Sequence, residues 1–221
     1  IISVIAVTVM VLGLCFGLIS INPIISNAAG NCIVRVKLDS LGRVSTVKLG
    51  INGSYTLPNG SYLDQGSYTA YITDGKIALR DSAGSNVYTS ESGYIKLTKR
   101  NTQASGIKIG NYEYLGDFVL AKNGSYINVI NHVDMETYLI GVVPYEIGEN
   151  YNLNALKAQA ICARSYSYDR LNGNTSATGY DIGDTSSDQV YRGYNARYVN
   201  CAKAVMETAG QVLTYGGEVI D

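Results

Sequence analysis

The sequence predicts an α+β fold: an N-terminal β-rich region followed by a mixed α/β domain. Two observations carry this. From Cys32 to about Tyr126, short apolar–polar alternations of period two recur between Asn-Gly turn signals. From about Asn131 the period lengthens to that of helices, with an N-cap, faces of small residues and glycine stops. At 221 residues the chain is long enough for one large domain or two small ones, with a sizeable core. Three parts are expected: a leader over 1–29, the β-rich region over 30–126 and the α/β domain over 127–221.

The first 21 residues, IISVIAVTVMVLGLCFGLISI, carry no charge, and a stretch of that length can cross a bilayer as a helix. Ser26-Asn27-Ala28 fits the small-x-small pattern of a signal-peptidase site. The segment reads as a secretory signal peptide or as an uncleaved membrane anchor, and either places the remainder outside the cytoplasmic membrane. With no initiator Met and no charged n-region, the chain is expected to begin inside its own leader. Leu14 precedes Cys15, so the small residue expected before a lipoprotein cysteine is missing.

The β-rich region contains CIVRVKL, VSTVKLGI, SYTAYIT, KIALRD, GYIKLTK, EYLGDFVLA and YINVIN. Asn-Gly-Ser-Tyr stands between such runs at Asn52, Asn59 and Asn123, and Gln-Gly-Ser-Tyr at Gln65. Asn-Gly favours tight hairpins because both residues tolerate positive φ. The same triplets are N-x-Ser sequons, a reading that depends on the host. There are 19 Tyr, 2 Phe and no Trp. Tyr combines an apolar ring with a polar tip, which suits half-buried strands and sugar-facing surfaces alike.

The helical part opens with HVDMETYLIG, a short helix with Asp134 and Glu136 in its first turn and His132, the only histidine, at its start. Asn152 reads as the N-cap of a longer helix, about Leu153 to Leu171, with Gly173 past its end. Leu153, Leu156, Ala160, Ala163 and Ser167 share one face, and their small size predicts close packing. A polar, Gly-rich loop follows. A third helix is expected near Asn195 to Thr208, with Val199, Ala202, Val205 and Met206 apolar and Gly210 as its stop. The closing QVLTYGGEVID has only begun a strand when the sequence ends, which predicts a further C-terminal part.

Charged residues make up 16% and the net charge is -1, with no cluster of Lys or Arg. This excludes a nucleic-acid binder that relies on a basic face. Beyond Cys15 there are three cysteines, Cys32, Cys162 and Cys201. An odd count at wide spacing does not make a disulfide scaffold. Cys162 and Cys201 read as small buried residues, with a bridge between them as the alternative.

The segments METYLIGVVPYEI, NALKAQAICARSYSY, YDIGDTSSDQVYRGY and AVMETAGQVLTYGGEVI, in this order, resemble the stage II sporulation protein D family, also called SpoIID/LytB. Catalytic members are lytic transglycosylases that cut the glycan strands of peptidoglycan; others are described as enhancers of a cell-wall amidase. In the family pattern a catalytic Glu follows Val-Val-Pro-x, and the matching residue is Glu146. The resemblance therefore implies a peptidoglycan lytic transglycosylase acting in sporulation or wall remodelling, with a non-catalytic amidase enhancer as the alternative. Its implied partners are glycan strands and other sporulation or cell-wall hydrolase proteins. A third reading, a purely structural surface protein, rests on the Tyr-rich β region.

The chemistry suits a lone Glu in a loop. Breaking a MurNAc–GlcNAc bond needs a proton on the glycosidic oxygen, and apolar neighbours such as Tyr145 and Ile147 favour the protonated acid. A hydrolase needs a second carboxylate. A lytic transglycosylase does not, because the C6 hydroxyl of the same MurNAc attacks C1 and one carboxylate serves as acid and then base. The plainer reading makes Glu146 a solvated residue near a helix start. Glu149 is the nearest competing carboxylate. Lys157 and Arg164, seven apart, share a helix face and could hold substrate or orient a carboxylate. The resemblance places Asp184, Gln189 and Tyr191 at the cleft wall. Some members bind zinc through Cys and His in this loop; here Gly183, Ser187 and Asp188 stand there, and no metal or cofactor is expected. Asp181, Asp184 and Thr185 are the candidates for holding the loop by hydrogen bonds.

Overall fold

The computed structural model describes residues 20–23, 32–100, 106–171 and 176–220. The strands begin with β1 (Ser20–Pro23), β2 (Ile33–Lys37), β3 (Thr46–Asn52), β4 (Tyr55–Thr56), β5 (Tyr62–Leu63), β6 (Gly66–Thr73), β7 (Lys76–Asp81) and β8 (Asn86–Ser90), of which β2, β3, β6 and β7 are expected period-two runs. They continue as β9 (Tyr94–Lys99), β10 (Gly106–Ile109), β11 (Tyr112–Leu115), β12 (Asp117–Asn123) and β13 (Tyr126–Asp134). The helices are α1 (Met135–Ile140), α2 (Val143–Glu146), α3 (Leu153–Asp169) and α4 (Val199–Glu207). Short strands β14 (Ile182–Gly183), β15 (Gln211–Tyr215) and β16 (Glu218–Val219) complete an α+β fold.

Two sheets take most of the β region, in the orders β11-β10-β3-β6-β7-β8 and β14-β2-β13-β12-β9-β4-β5. The Asn-Gly signals at Asn59 and Asn123 join antiparallel partners, β4–β5 and β12–β13, whereas Asn52 ends β3 where the chain passes to the other sheet. Asn123 pairs with Tyr126 across a two-residue turn, and Gly124 supplies the positive φ of 61° that the turn requires. The boundary expected at residue 126 falls at the first residue of β13, whose partners are β12 and β2, so one sheet draws on both sides of it. One continuous core runs through both regions, from Val36, Leu97, Phe118 and Val129 to Tyr138, Leu156, Ala160 and Val205. Each fully buried side chain of this size contributes about 1.5–3 kcal/mol.

β13 leads directly into the helices. Asp134 closes the strand and caps α1, its carboxylate accepting from the N–H groups of Glu136 and Thr137. It is thus the cap and not a first-turn residue. His132 lies within β13, opposite Asp117 and Arg35, and does not start a helix.

Asn152 caps α3 as expected, accepting from the N–H of Asn154. The helix ends at Asp169; Gly173 lies outside the described residues. Leu156, Ala160, Ala163 and Ser167 are buried; Ala163 and Ser167 meet Gln189 of the polar loop, while Arg164 and Ser165 reach α4 and β15. For α4 the expected face is corrected. Val199 and Met206 are 65% and 59% exposed, whereas Cys201, Ala204, Val205 and Thr208 are buried. Those four follow the i, i+3, i+4, i+7 spacing of a single helix face. Apolar residues surround this helix, so apolarity alone does not select the side.

Most of the leader expected over 1–29 lies outside the described residues; Ser20–Pro23 pairs antiparallel with β15. Among the described residues no helix is long and apolar enough to cross a membrane. Cys32, Cys162 and Cys201 form no disulfide among the described residues; Cys201 is buried and the other two half-buried.

Candidate active site

The segment Val142-Val143-Pro144-Tyr145-Glu146 forms a single helical turn with Pro144 at its start, where a missing N–H costs nothing. Val142 and Val143 are fully buried and fix the turn to the core. Glu146 therefore ends a short helix instead of sitting in a loop. It is half-buried, and its Oε1 accepts the backbone N–H of Val190 at 2.9 Å. This is the one hydrogen bond its carboxylate makes among the described residues, so Oε2 is left for another partner.

Val190 belongs to the polar loop, which is held from three directions. Asp181 accepts from the backbone N–H, Nε and Nη2 of Arg35. Asp184 is fully buried and accepts from the N–H and hydroxyl of Ser40. Burial pushes the Asp184 carboxyl above the usual carboxylate range, against the hydrogen bonds from Ser40 and the charge of Arg192. Asp188 accepts from the Tyr166 hydroxyl and from the Gly183 N–H. Asp181 and Asp184 thus hold the loop as expected, and Asp188 joins them. Thr185 contributes its carbonyl, which accepts from the N–H of Asp188. Among the described residues no group of three or more His, Cys, Asp or Glu stands together as metal ligands.

The loop reaches α2 through a close backbone approach. Arg192 donates its N–H to the Gly141 carbonyl at 3.1 Å, and a Cβ at Gly141 would stand 2.4 Å from the Gly193 carbonyl oxygen. Any side chain at Gly141 would force the two segments apart. Under the loop, the Tyr138 hydroxyl donates to Gln189 Oε1 at 3.1 Å, and Ser167 Oγ lies 2.8 Å from the same atom. Burial, reinforced by the Asp188 charge, pushes the Tyr138 hydroxyl well above its ordinary range, so it stays a neutral donor.

The sequence-predicted residues separate into two groups. Glu146 has a free carboxylate oxygen. Arg164, Asp184, Gln189 and Tyr191, which the sequence placed at the substrate, are buried and hydrogen-bonded within the protein. Arg164, 2% exposed, does orient a carboxylate: it donates through Nε and Nη2 to Glu136, and further to the Gln211 and Val205 carbonyls. The Tyr191 hydroxyl donates to Asn131 Oδ1. Lys157 pairs with Glu207 of α4 at 2.6 Å. Glu149 accepts from the N–H groups of Asn200 and Cys201 and so caps α4 at a distance of 51 residues in sequence. Burial would raise the Glu149 pKa, but these amides outweigh it and hold the carboxyl below its ordinary value.

Sequence reasoning missed Val190, which acts through its backbone and leaves no side-chain signal. It also missed a cluster of rings around Tyr145, the residue before Glu146. Tyr145 meets Tyr112 edge-on at 6.5 Å and Tyr198 at 5.7 Å. A cavity of about 290 Å³ opens there, lined by Tyr112, Tyr145, Arg192 and Tyr194 among others.

Residues 123–215 match the family model described as Stage II sporulation protein, SpoIID, so the chain carries a SpoIID domain. It is 32% identical over 185 residues to the "Amidase enhancer" of Bacillus subtilis, covering 82% of this chain and 24% of that protein. To the "Stage II sporulation protein D" of the same organism it is 29% identical over 106 residues, 42% of this chain and 31% of the relative. An uncharacterized protein of Brachyspira hyodysenteriae is 28% identical over 192 residues, 87% of this chain and 51% of its own length. The chain thus spans about half or less of the curated relatives it matches.

Proposed function

We propose that this domain is a peptidoglycan lytic transglycosylase with Glu146 as its single acid and base, working outside the cytoplasmic membrane. The observation that carries the reading is the state of the Glu146 carboxylate: Oε1 is fixed by the Val190 N–H and Oε2 is open. Glu149, the competing carboxylate, is committed to the amides of α4, and Asp184 is enclosed. One free carboxylate suits intramolecular attack better than hydrolysis, which uses two.

In the proposed reaction, protonated Glu146 gives its proton to the glycosidic oxygen as the bond from MurNAc C1 to that oxygen breaks. The resulting carboxylate then takes the proton of the C6 hydroxyl as its oxygen bonds to C1. The products are a 1,6-anhydro-MurNAc end and a free GlcNAc hydroxyl. No water is consumed, and Glu146 ends protonated. Gln189 and Tyr191, on either side of Val190, anchor the loop that holds Glu146.

The relative named "Amidase enhancer" favours a second reading, in which the domain binds wall glycan and raises the rate of a partner amidase without cleaving. Mass spectrometry of purified glycan strands after incubation with the protein separates the two. Anhydro-MurNAc ends support the first. Their absence, together with faster amide cleavage by an added amidase, replaces it with the second.

A further inference from the structure

We propose that the cavity beside Tyr145 is a saccharide subsite, built partly by the β10–β11 hairpin, and that it takes an N-acetylated sugar of the glycan strand next to the bond at Glu146. This inference rests on the transglycosylase reading and adds to it a contact outside the family-matched residues 123–215. The hairpin contributes Lys108, Asn111 and Tyr112 to the cavity; Arg192, Tyr194 and Asn195 close the other side. The two sides are joined by backbone: the Tyr194 N–H donates to the Glu113 carbonyl at 2.7 Å, and a Cβ at Gly193 would stand 2.2 Å from the same oxygen. The subsite is therefore a fixed part of the fold.

Its chemistry matches a pyranose. Sugars present apolar C–H patches that lie against aromatic rings, with hydroxyl and amide groups that seek planar polar partners. Tyr112 is 38% exposed, with the Arg192 guanidinium 5.8 Å from its ring centroid. Arg192 hydrogen-bonds through Nη1 to the Asp184 and Tyr191 carbonyls, so Nε and Nη2 make no hydrogen bond among the described residues. Lys108 is exposed and makes no ion pair among the described residues. Asn111 and Asn195 add amides that donate and accept. The larger cavity of about 390 Å³ at Lys37, Arg43 and Tyr126 offers one ring where this one has Tyr112, Tyr145 and Tyr194, and its Lys37 is paired with Asp39.

The test measures binding of GlcNAc–MurNAc oligosaccharides by calorimetry, with Glu146→Gln as the background so that no turnover occurs. Adding Tyr112→Ala should weaken binding about fivefold to tenfold, the scale of one lost aromatic contact. Adding Lys108→Ala should weaken it less. Tyr126→Ala, in the larger cavity, should leave it unchanged. Melting curves confirm that each variant is folded. If the Glu146→Gln protein binds glycan and Tyr112→Ala binds equally well, the subsite is overturned while the catalytic reading stands. If the Glu146→Gln protein binds no glycan, the subsite is overturned too, and product analysis of the wild type then judges the catalytic reading separately.

Discussion

The backbone N–H of Val190 donates to Oε1 of Glu146 at 2.9 Å, tying the end of α2 to a loop 44 residues further along the chain. Glutamine keeps a carbonyl oxygen that can accept this bond but has no proton to give. Glu146→Gln should therefore lower formation of anhydro-MurNAc ends by about 10²–10⁴-fold, the usual contribution of general acid–base catalysis. Its melting temperature should stay close to that of the wild type. Wild-type cleavage by this variant would remove Glu146 from the chemistry.

Glu149 should behave in the opposite way. Its carboxylate accepts from the Asn200 and Cys201 amides, where the α4 dipole is positive. Glu149→Ala should cost about 0.5–2 kcal/mol, as the loss of an N-cap does. Because the folded pKa lies below its ordinary 4.5, this contribution is present above that pH and fades as pH falls through the folded value. Glu149→Gln should leave cleavage far less affected than Glu146→Gln. Urea titrations at pH 7 and pH 3 check the first point: the wild-type advantage over Glu149→Ala should shrink at the lower pH.

Strands, hairpins and the α3 cap were legible because their causes are local: alternation, Asn-Gly turns, and an Asn ahead of a helix. The Val-Val-Pro-Tyr-Glu motif was legible only through resemblance, since one Glu between apolar residues has no distinctive chemistry by itself. Burial of Arg164 and Asp184 could not be read locally. It depends on Glu136 and Ser40, 28 and 144 residues away. The same holds for Tyr112, which a hairpin delivers to the site across the sheet. The α4 face was legible in its i, i+3, i+4, i+7 spacing from Cys201, but apolar residues on the other sides masked it.

Arg164 gives the largest stability prediction. It is buried, bidentate to Glu136, and gathers carbonyls from α4 and β15. Arg164→Met should destabilise by about 3–5 kcal/mol, because it strands a carboxylate and two carbonyls. Adding Glu136→Gln should recover part of the loss. If the double variant were no more stable than Arg164→Met, the stranded Glu136 charge would not be the cause.

Cys201 should be inert in the folded protein. Burial and the neighbouring Glu149 push its thiol up to about 12, so the reactive thiolate is scarce at neutral pH. Timed alkylation should label it only after denaturant is added. Rapid labelling of native protein at Cys201, mapped by peptide mass, would contradict this packing.

His132 should make the fold sensitive to mild acid. It is half-buried in β13, and its Nε2 has no hydrogen-bond partner among the described residues. Burial lowers its pKa from the ordinary 6.5; Lys96 and Arg35 lower it further, against Asp117 and Asp181. As pH falls through 6.5 the unfolded chain takes up the proton first, so stability drops toward the lower folded value and is flat above. Glu149, lowered in the fold, titrates below the window between about pH 7 and 5, and Asp184, raised by burial, would add stability on protonation, the sign opposite to that of the histidine. Denaturant midpoints across that window should fall for the wild type and change less for His132→Gln. Equal slopes in the two proteins would show that His132 is not the group responsible.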